Sequence, residues 1–71
     1  MCCDQEKAIE ISDKEMIKDG YDLHSLLRIV KVEQGSYIIH YQPKDTLIRG
    51  NEAEVKIAKN NCTILEKKFY Q

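Results

Sequence analysis

The N-terminal third of the chain has the hydrophobic spacing of a helix. In "DQEKAIEISDKEMIKDG" one side of a helix would carry Ala8, Ile9, Ser12 and Met16, with Ile11 and Ile17 widening the stripe, as expected for one helix face. Asp4 can cap the start of this helix, and Gly20 can adopt the positive φ that ends one. We predict a helix over residues 4–19. A start at Ser12 is the alternative, because "SDKE" matches a capping box, but that helix would carry Gly20 and Asp22 in its middle.

From Leu26 onward the pattern is that of strands. "LLRIVKVE" and "SYIIHYQ" are rich in β-branched and aromatic residues and flank Gln34-Gly35, which predicts a β-hairpin over 26–33 and 36–42. Pro43 ends the second strand, since it has no N–H to donate. A two-residue loop sets the register, with the pairs Arg28–Tyr41, Val30–Ile39 and Val32–Tyr37.

A second hairpin is predicted over residues 52–58 and 63–70. "EAEVKIA" alternates apolar and charged residues, and a turn at "NNC" separates it from "TILEKKFYQ". A three-residue loop predicts the pairs Ile57–Leu65, Lys56–Glu66, Glu54–Lys68 and Ala53–Phe69. Two of these pairs place opposite charges directly across the strands, which favours this register.

These elements predict an α+β fold in a single domain over residues 1–71. One N-terminal helix packs on a four-stranded antiparallel meander sheet. A domain this short buries a smaller fraction of its surface than a larger one, so its margin of stability is thin.

Composition excludes two classes of partner. The chain has 11 basic and 12 acidic residues and a net charge of −1, whereas a nucleic-acid surface needs a clustered excess of Lys and Arg. No stretch approaches the roughly 18 apolar residues of a membrane span. We therefore expect neither a nucleic-acid partner nor a transmembrane segment.

Three cysteines, Cys2, Cys3 and Cys62, show no spacing typical of zinc or of a disulfide framework. Mature bacterial lipoproteins begin at a lipidated cysteine, so Cys2 is a candidate lipid anchor of a periplasmic protein whose leader was removed. The alternative is a cytoplasmic protein with a frayed terminus and three free thiols. The intact mass of the native protein separates the two.

The chain carries no recognisable catalytic set. His24 and His40 lie sixteen residues apart, and Cys62 with His40 is the one thiol–imidazole pair on predicted sheet elements. A hydrolase also needs an orienting group beside its nucleophile and base. We expect no enzyme activity, no metal and no cofactor.

One apolar surface is left over by this fold. A single helix covers one face of the sheet, yet Leu27, Ile29 and Ile38 fall on the opposite face. An apolar patch left in water usually marks a partner surface. The alternative is that flanking loops fold over it. Self-association, by strand addition or by packing of this face, would make the protein a structural homodimer.

The loop "PKDTLIRGN" adds to this surface, because a turn does not require two adjacent aliphatic residues such as Leu47 and Ile48. Arg49 beside them has the planar, multiply donating head enriched in interface hot spots. One of the two aliphatic residues is expected to close the core instead. The predicted partner-binding residues are Ile29, Ile38, His40, Tyr41, Leu47, Ile48 and Arg49.

The segments "GYDL", "SYIIHYQPKD", "AEVKIAK" after a glycine, and "ILEKKFYQ" resemble small bacterial immunity proteins with a nuclear-transport-factor-two-like, or cystatin-like, fold. The family commonly has a glycine pair where this chain has only Gly50, and Thr-Gly or Asp-Gly in place of Asn60-Asn61. PepSY-type modules, which modulate peptidases, share the strand pattern. The resemblance implies a non-catalytic protein that binds and neutralises a toxin or a peptidase.

Overall fold

The computed structural model describes residues 3–44 and 52–70 and shows one helix packed on an antiparallel sheet. The elements are α1 (Gln5–Lys18), a 3-10 turn (Leu23–Ser25), β1 (Leu26–Glu33), β2 (Ser36–Pro43), β3 (Glu52–Ala58) and β4 (Ile64–Tyr70). The four strands are ordered β1-β2-β3-β4, which is a meander. The predicted α+β fold is confirmed. No helix within the described ranges is long and apolar enough to cross a membrane.

The helix begins at the earlier of the two predicted positions. The side chain of Asp4 accepts a hydrogen bond of 2.8 Å from the backbone N–H of Lys7, which satisfies one of the unpaired N–H groups of the first turn. Gly20 follows the helix with φ of 91°. The alternative start at Ser12 is wrong, because the buried face already includes Ala8, one turn earlier.

The first hairpin has the predicted register, including Val30 opposite Ile39 and Val32 opposite Tyr37. Gly35 occupies its turn with φ of 90°, a conformation that residues with a Cβ rarely adopt. β2 runs one residue beyond the predicted end and includes Pro43.

The second hairpin departs from the prediction next to its turn. The pairs Ala53–Phe69, Glu54–Lys68 and Lys56–Glu66 are as predicted, but Ile57 pairs with Ile64 instead of Leu65. The turn spans residues 59–62, since the N–H of Ala58 donates to the carbonyl of Thr63 at 2.9 Å. The register shifts between Lys56 and Ile57. Leu65 is the extra residue of a β-bulge, which restores the predicted register further along the strand.

The core lies between α1 and the two central strands. The helix contributes a stripe of small and flexible side chains, and β2 and β3 contribute alternate residues that are almost completely buried. The main members are Ala8, Ser12, Met16, Ile39, Tyr41, Ala53, Val55 and Ile57. Three residues of β3 and two of β2 therefore supply most of the sheet side of the core, and the outer strands supply less.

A disulfide joins Cys3 to Cys62, with 5.1 Å between the two Cα atoms. The disulfide contradicts the alternative in which all three thiols stay free. The spacing of the cysteines did not predict it, because the partners lie 59 residues apart. Cys62 has φ of 58°, in the left-handed region that glycine or asparagine normally occupies. The backbone N–H of Cys3 also donates to the carbonyl of Lys59 at 2.9 Å. The start of α1 is thus fixed to the β3–β4 turn.

Reduction of this disulfide is expected to lower the free energy of unfolding by about 4 kcal/mol, because an unfolded chain without the cross-link gains loop entropy. Urea unfolding with and without a thiol reductant measures the change. The Cys3→Ala/Cys62→Ala variant is the control. Its free energy of unfolding should equal that of the reduced protein and should not change when the reductant is added. Alkylation of both cysteines in the folded, unreduced protein would contradict the pairing.

Candidate partner-binding site

We call the side of the sheet opposite α1 the outer face. The registers of the three strand pairs place alternate residues on it: Leu27, Ile29, Lys31 and Glu33 of β1, Ser36, Ile38, His40 and Gln42 of β2, Glu52, Glu54, Lys56 and Ala58 of β3, and Glu66 and Lys68 of β4. Charged residues of both signs therefore surround a smaller number of aliphatic ones.

The aliphatic part of the outer face is concentrated on β1. Leu27 is 44% exposed and Ile29 is 41% exposed, whereas Ile38 beside them on β2 is only 8% exposed. Ile38 lies in a depression lined by charged neighbours, Glu33, Glu54, Lys56, Glu66 and Lys68. The long stems of such side chains can cover an aliphatic floor while their charged ends stay in water. Leu27 and Ile29 remain accessible to a partner.

His40 lies between two carboxylates on the same face. Its Nε2 is 3.8 Å from Oε1 of Glu52, and its Nδ1 is 3.7 Å from Oε2 of Glu54. A quarter of the side chain is exposed. The two carboxylates place negative charge on the β2–β3 part of the outer face, where Lys56 is the neighbouring positive charge.

Tyr41 does not belong to this surface, which corrects its predicted role. It lies on the side that faces the helix and is 1% exposed, because β2 alternates and Tyr41 shares its side with Ile39. Of the other predicted residues, Ile29 and His40 are accessible on the outer face. Ile38 lies on the same face, but its predicted exposure is wrong, because it is only 8% exposed. Leu47, Ile48 and Arg49 lie outside the described residues.

The hydroxyl of Tyr41 is the centre of a polar network between the layers. It donates to Oδ1 of Asp13 at 2.6 Å and lies 2.7 Å from Oγ of Ser12. Since the carboxylate can only accept, the Tyr41 proton goes to Asp13, and Ser12 donates to Tyr41. Arg28 completes the network, with Nη1 2.6 Å from Oδ2 of Asp13. The sequence signal was a tyrosine on the core side of a strand, which needs a partner for its hydroxyl.

Two residues of β4, Lys67 and Phe69, contact the end of α1 and the residues just after it. Nζ of Lys67 lies 3.2 Å from Oε2 of Glu15 and 3.4 Å from Oδ2 of Asp19. These hydrogen bonds, with Glu15 the larger contribution, raise the pKa of Lys67 above its usual value. The rings of Tyr21 and Phe69 stack with 5.8 Å between centroids.

The thiol–imidazole pair considered from the sequence, Cys62 with His40, lacks its thiol in this structure. Cys62 is oxidised in the disulfide, so it offers no thiolate to His40. His24 lies in the exposed 3-10 turn before β1, whereas His40 is in the middle of β2. Over residues 3–44 and 52–70, no group of three or more His, Cys, Asp or Glu side chains is arranged to hold a metal ion.

Comparison of this chain with protein-family models, curated proteins and solved structures finds no match.

Tyr41→Phe is expected to lower the free energy of unfolding by about 1–2 kcal/mol, because the Ser12 hydroxyl then stays buried without its acceptor. Ser12→Ala should cost less, since Tyr41 keeps its bond to Asp13. The double variant should cost less than the sum of the two, because it removes both partners. Urea unfolding of the four proteins measures this coupling. Strictly additive losses would show that the two hydroxyls do not interact.

Stability is also expected to fall as the pH rises above about 10, the pKa of an unfolded tyrosine. Burial, and then the hydrogen bond to Asp13, raise the pKa of Tyr41 in the folded protein. The stabilisation is complete below the unfolded pKa and is lost as the pH rises towards the folded one. The slope for one proton is at most about 1.4 kcal/mol per pH unit. Urea unfolding between pH 9 and about 11 should give a flatter profile for Tyr41→Phe, and equal slopes would refute this assignment.

Proposed function

We propose that this protein is a non-catalytic protein-binding module of the immunity or inhibitor type, which neutralises a toxin or a peptidase. The observation that carries the proposal is the exposure of Leu27 and Ile29 on a sheet face that no described element covers. Aliphatic side chains of that size in contact with water on one continuous surface favour a polypeptide partner.

The charges around these residues support a partner that is protein. The outer face combines lysines at positions 31, 56 and 68 with glutamates at 33, 52, 54 and 66. Protein–protein interfaces usually combine apolar residues with a polar rim, and here the exposed aliphatic residues of β1 border the charged part of the face. A phosphate-rich partner would instead require an excess of positive charge.

The oxidation of Cys62 supports the non-catalytic part of this proposal. Its sulfur is bonded to that of Cys3, so Cys62 offers no thiol that His40 could activate as a nucleophile. His40 contacts two carboxylates, those of Glu52 and Glu54.

The loop residues Leu47, Ile48 and Arg49 extend the proposed binding surface. This part of the proposal rests on the sequence, where two aliphatic residues adjoin an arginine in a connection between strands. We expect Arg49→Ala and Ile48→Ser each to remove an interface hot spot. Such a loss typically weakens binding by about 2 kcal/mol or more.

The disulfide is informative about the compartment in which the protein resides, and so about the proposed lipid anchor at Cys2. Disulfides form and persist in oxidising compartments such as the bacterial periplasm. The Cys3–Cys62 pairing therefore supports the periplasmic or lipid-anchored alternative over the cytoplasmic one.

Affinity capture from the native organism tests the binding function. The wild-type protein as bait should enrich one protein repeatedly, and that protein's toxic or peptidase activity should fall when the wild-type protein is added. A Leu27→Asp/Ile29→Asp bait should lose at least about tenfold in affinity, the equivalent of 1.4 kcal/mol. Its thermal midpoint should stay near that of the wild type, because both side chains are already exposed.

Ile17→Asp is the matched control for that bait, because Ile17 is an exposed aliphatic residue on α1, on the other side of the sheet. It should capture the same partner as the wild type. Equal capture by all three baits would place the binding site elsewhere, and repeated recovery of no partner would count against the function. A toxin among the captured proteins favours an immunity role, and a peptidase favours a PepSY-like role.

A further inference from the structure

The two edges of the sheet are not equally protected against strand addition. β4 carries a β-bulge at Leu65 and a run of three charges, Glu66, Lys67 and Lys68, both of which discourage pairing at an edge. β1 is eight residues long and pairs with β2 in an uninterrupted register. α1 packs closest to β2 and β3 and contacts β1 through the bond between Asp13 and Arg28, while Val32 near the end of β1 is 56% exposed. β1 is the edge that can accept another strand.

The alternation of hydrogen-bonded pairs along β1 and β2 shows which backbone groups of β1 point away from β2. The N–H of Lys44 donates to the carbonyl of Ser25 at 3.0 Å, so Ser25 and Lys44 form a hydrogen-bonded pair just before β1. Such pairs alternate along an antiparallel ladder. Ile29 and Lys31 therefore bond to β2, whereas the backbone groups of Val30 and Val32 point away from it.

The side chains of β1 are complementary to those of a second β1 running in the opposite direction. With Val30 on the two-fold axis, residues whose numbers sum to 60 lie opposite each other, which places Leu27 opposite Glu33, Arg28 opposite Val32, and Ile29 opposite Lys31. In each of these pairs an aliphatic residue meets a long charged one. The stem of the charged side chain can cover the aliphatic one, and no two like charges lie directly opposite.

We propose that β1 is a dimerisation edge that pairs with β1 of a second copy of this chain, antiparallel and centred on Val30. The pairing joins two four-stranded sheets into one continuous sheet through the outward-facing backbone groups of Arg28, Val30 and Val32, which pair with no described strand. A two-fold axis perpendicular to the sheet keeps both helices on one side. Both outer faces stay open, so the dimer does not depend on the proposed binding of a toxin or peptidase.

Sedimentation equilibrium of the purified full chain tests the association. The mass should rise towards twice that of the single chain between micromolar and millimolar concentration. Amide hydrogen exchange identifies the surface. The N–H groups of Val30 and Val32 should exchange on the order of tenfold more slowly at the higher concentration. Those of Ile29 and Lys31 should not change, because they are already bonded within the hairpin.

Two substitutions at one position test the register. Ile29→Lys places like charges opposite Lys31 of the second copy at two symmetric points and should abolish the dimer. Ile29→Glu places a carboxylate there and should retain the dimer, with an affinity that decreases as salt rises. Ile17→Lys, on α1, is the control and should dimerise like the wild type.

A single-chain mass at millimolar concentration would overturn the proposal. So would a dimer in which Ile29→Lys, Ile29→Glu and the wild type associate equally, or one in which Val30 and Val32 show no concentration-dependent protection. Because these measurements use the isolated protein, their failure would leave the proposed capture of a partner unaffected. Failure of capture would likewise leave the dimer intact.

Discussion

One helix of fourteen residues has to cover a four-stranded sheet. A helix is about 10 Å wide, and neighbouring strands lie about 4.8 Å apart, so α1 can bury the centre of one side and little else. This limit explains why the fully buried side chains of the sheet come from β2 and β3. It also explains why the edges and the outer face retain exposed aliphatic residues.

A small interface between helix and sheet needs additional attachments, and the protein has them along the whole length of α1. The disulfide fixes the residue before the helix to the β3–β4 turn. The hydroxyl of Tyr41 meets Asp13 near the middle of the helix, and Lys67 meets Glu15 and Asp19 near its end. The three attachments differ in chemistry, so reduction, high pH and screening by salt each weaken a different one.

The surfaces that the helix leaves open are chemically distinct. The outer face has aliphatic residues within a field of mixed charge, which is suited to the side chains of another protein. The edge of β1 offers backbone groups in a fixed spacing, which is suited to another strand. One chain can use both at once, because an added strand lies beside the sheet and not on its face.

Much of the fold could be predicted from the sequence because its signals are local. The Asp4 cap, the terminating Gly20 and the alternation in β1 and β3 depend on residues close in the chain, and they determined the element order and the first hairpin's register. The β-bulge at Leu65 was not predicted. The turn has four residues instead of the expected three, which shifts the strand register by one residue, and the bulge shifts it back. The charged pairs beyond the bulge are therefore the same as in the predicted hairpin. The exposure of Ile29 was correctly expected from the alternation of β1.

Tertiary structure alone decided the contacts between distant segments. Cys3 and Cys62 meet only because the helix start lies over the β3–β4 turn. Tyr41 was assigned to a partner surface, although its place in the alternation put it with the core; the structure buries it because Ser12 and Asp13 of α1 satisfy its hydroxyl. Periodicity gives the side of a strand on which a residue lies. Only packing decides whether that side is covered, and by what.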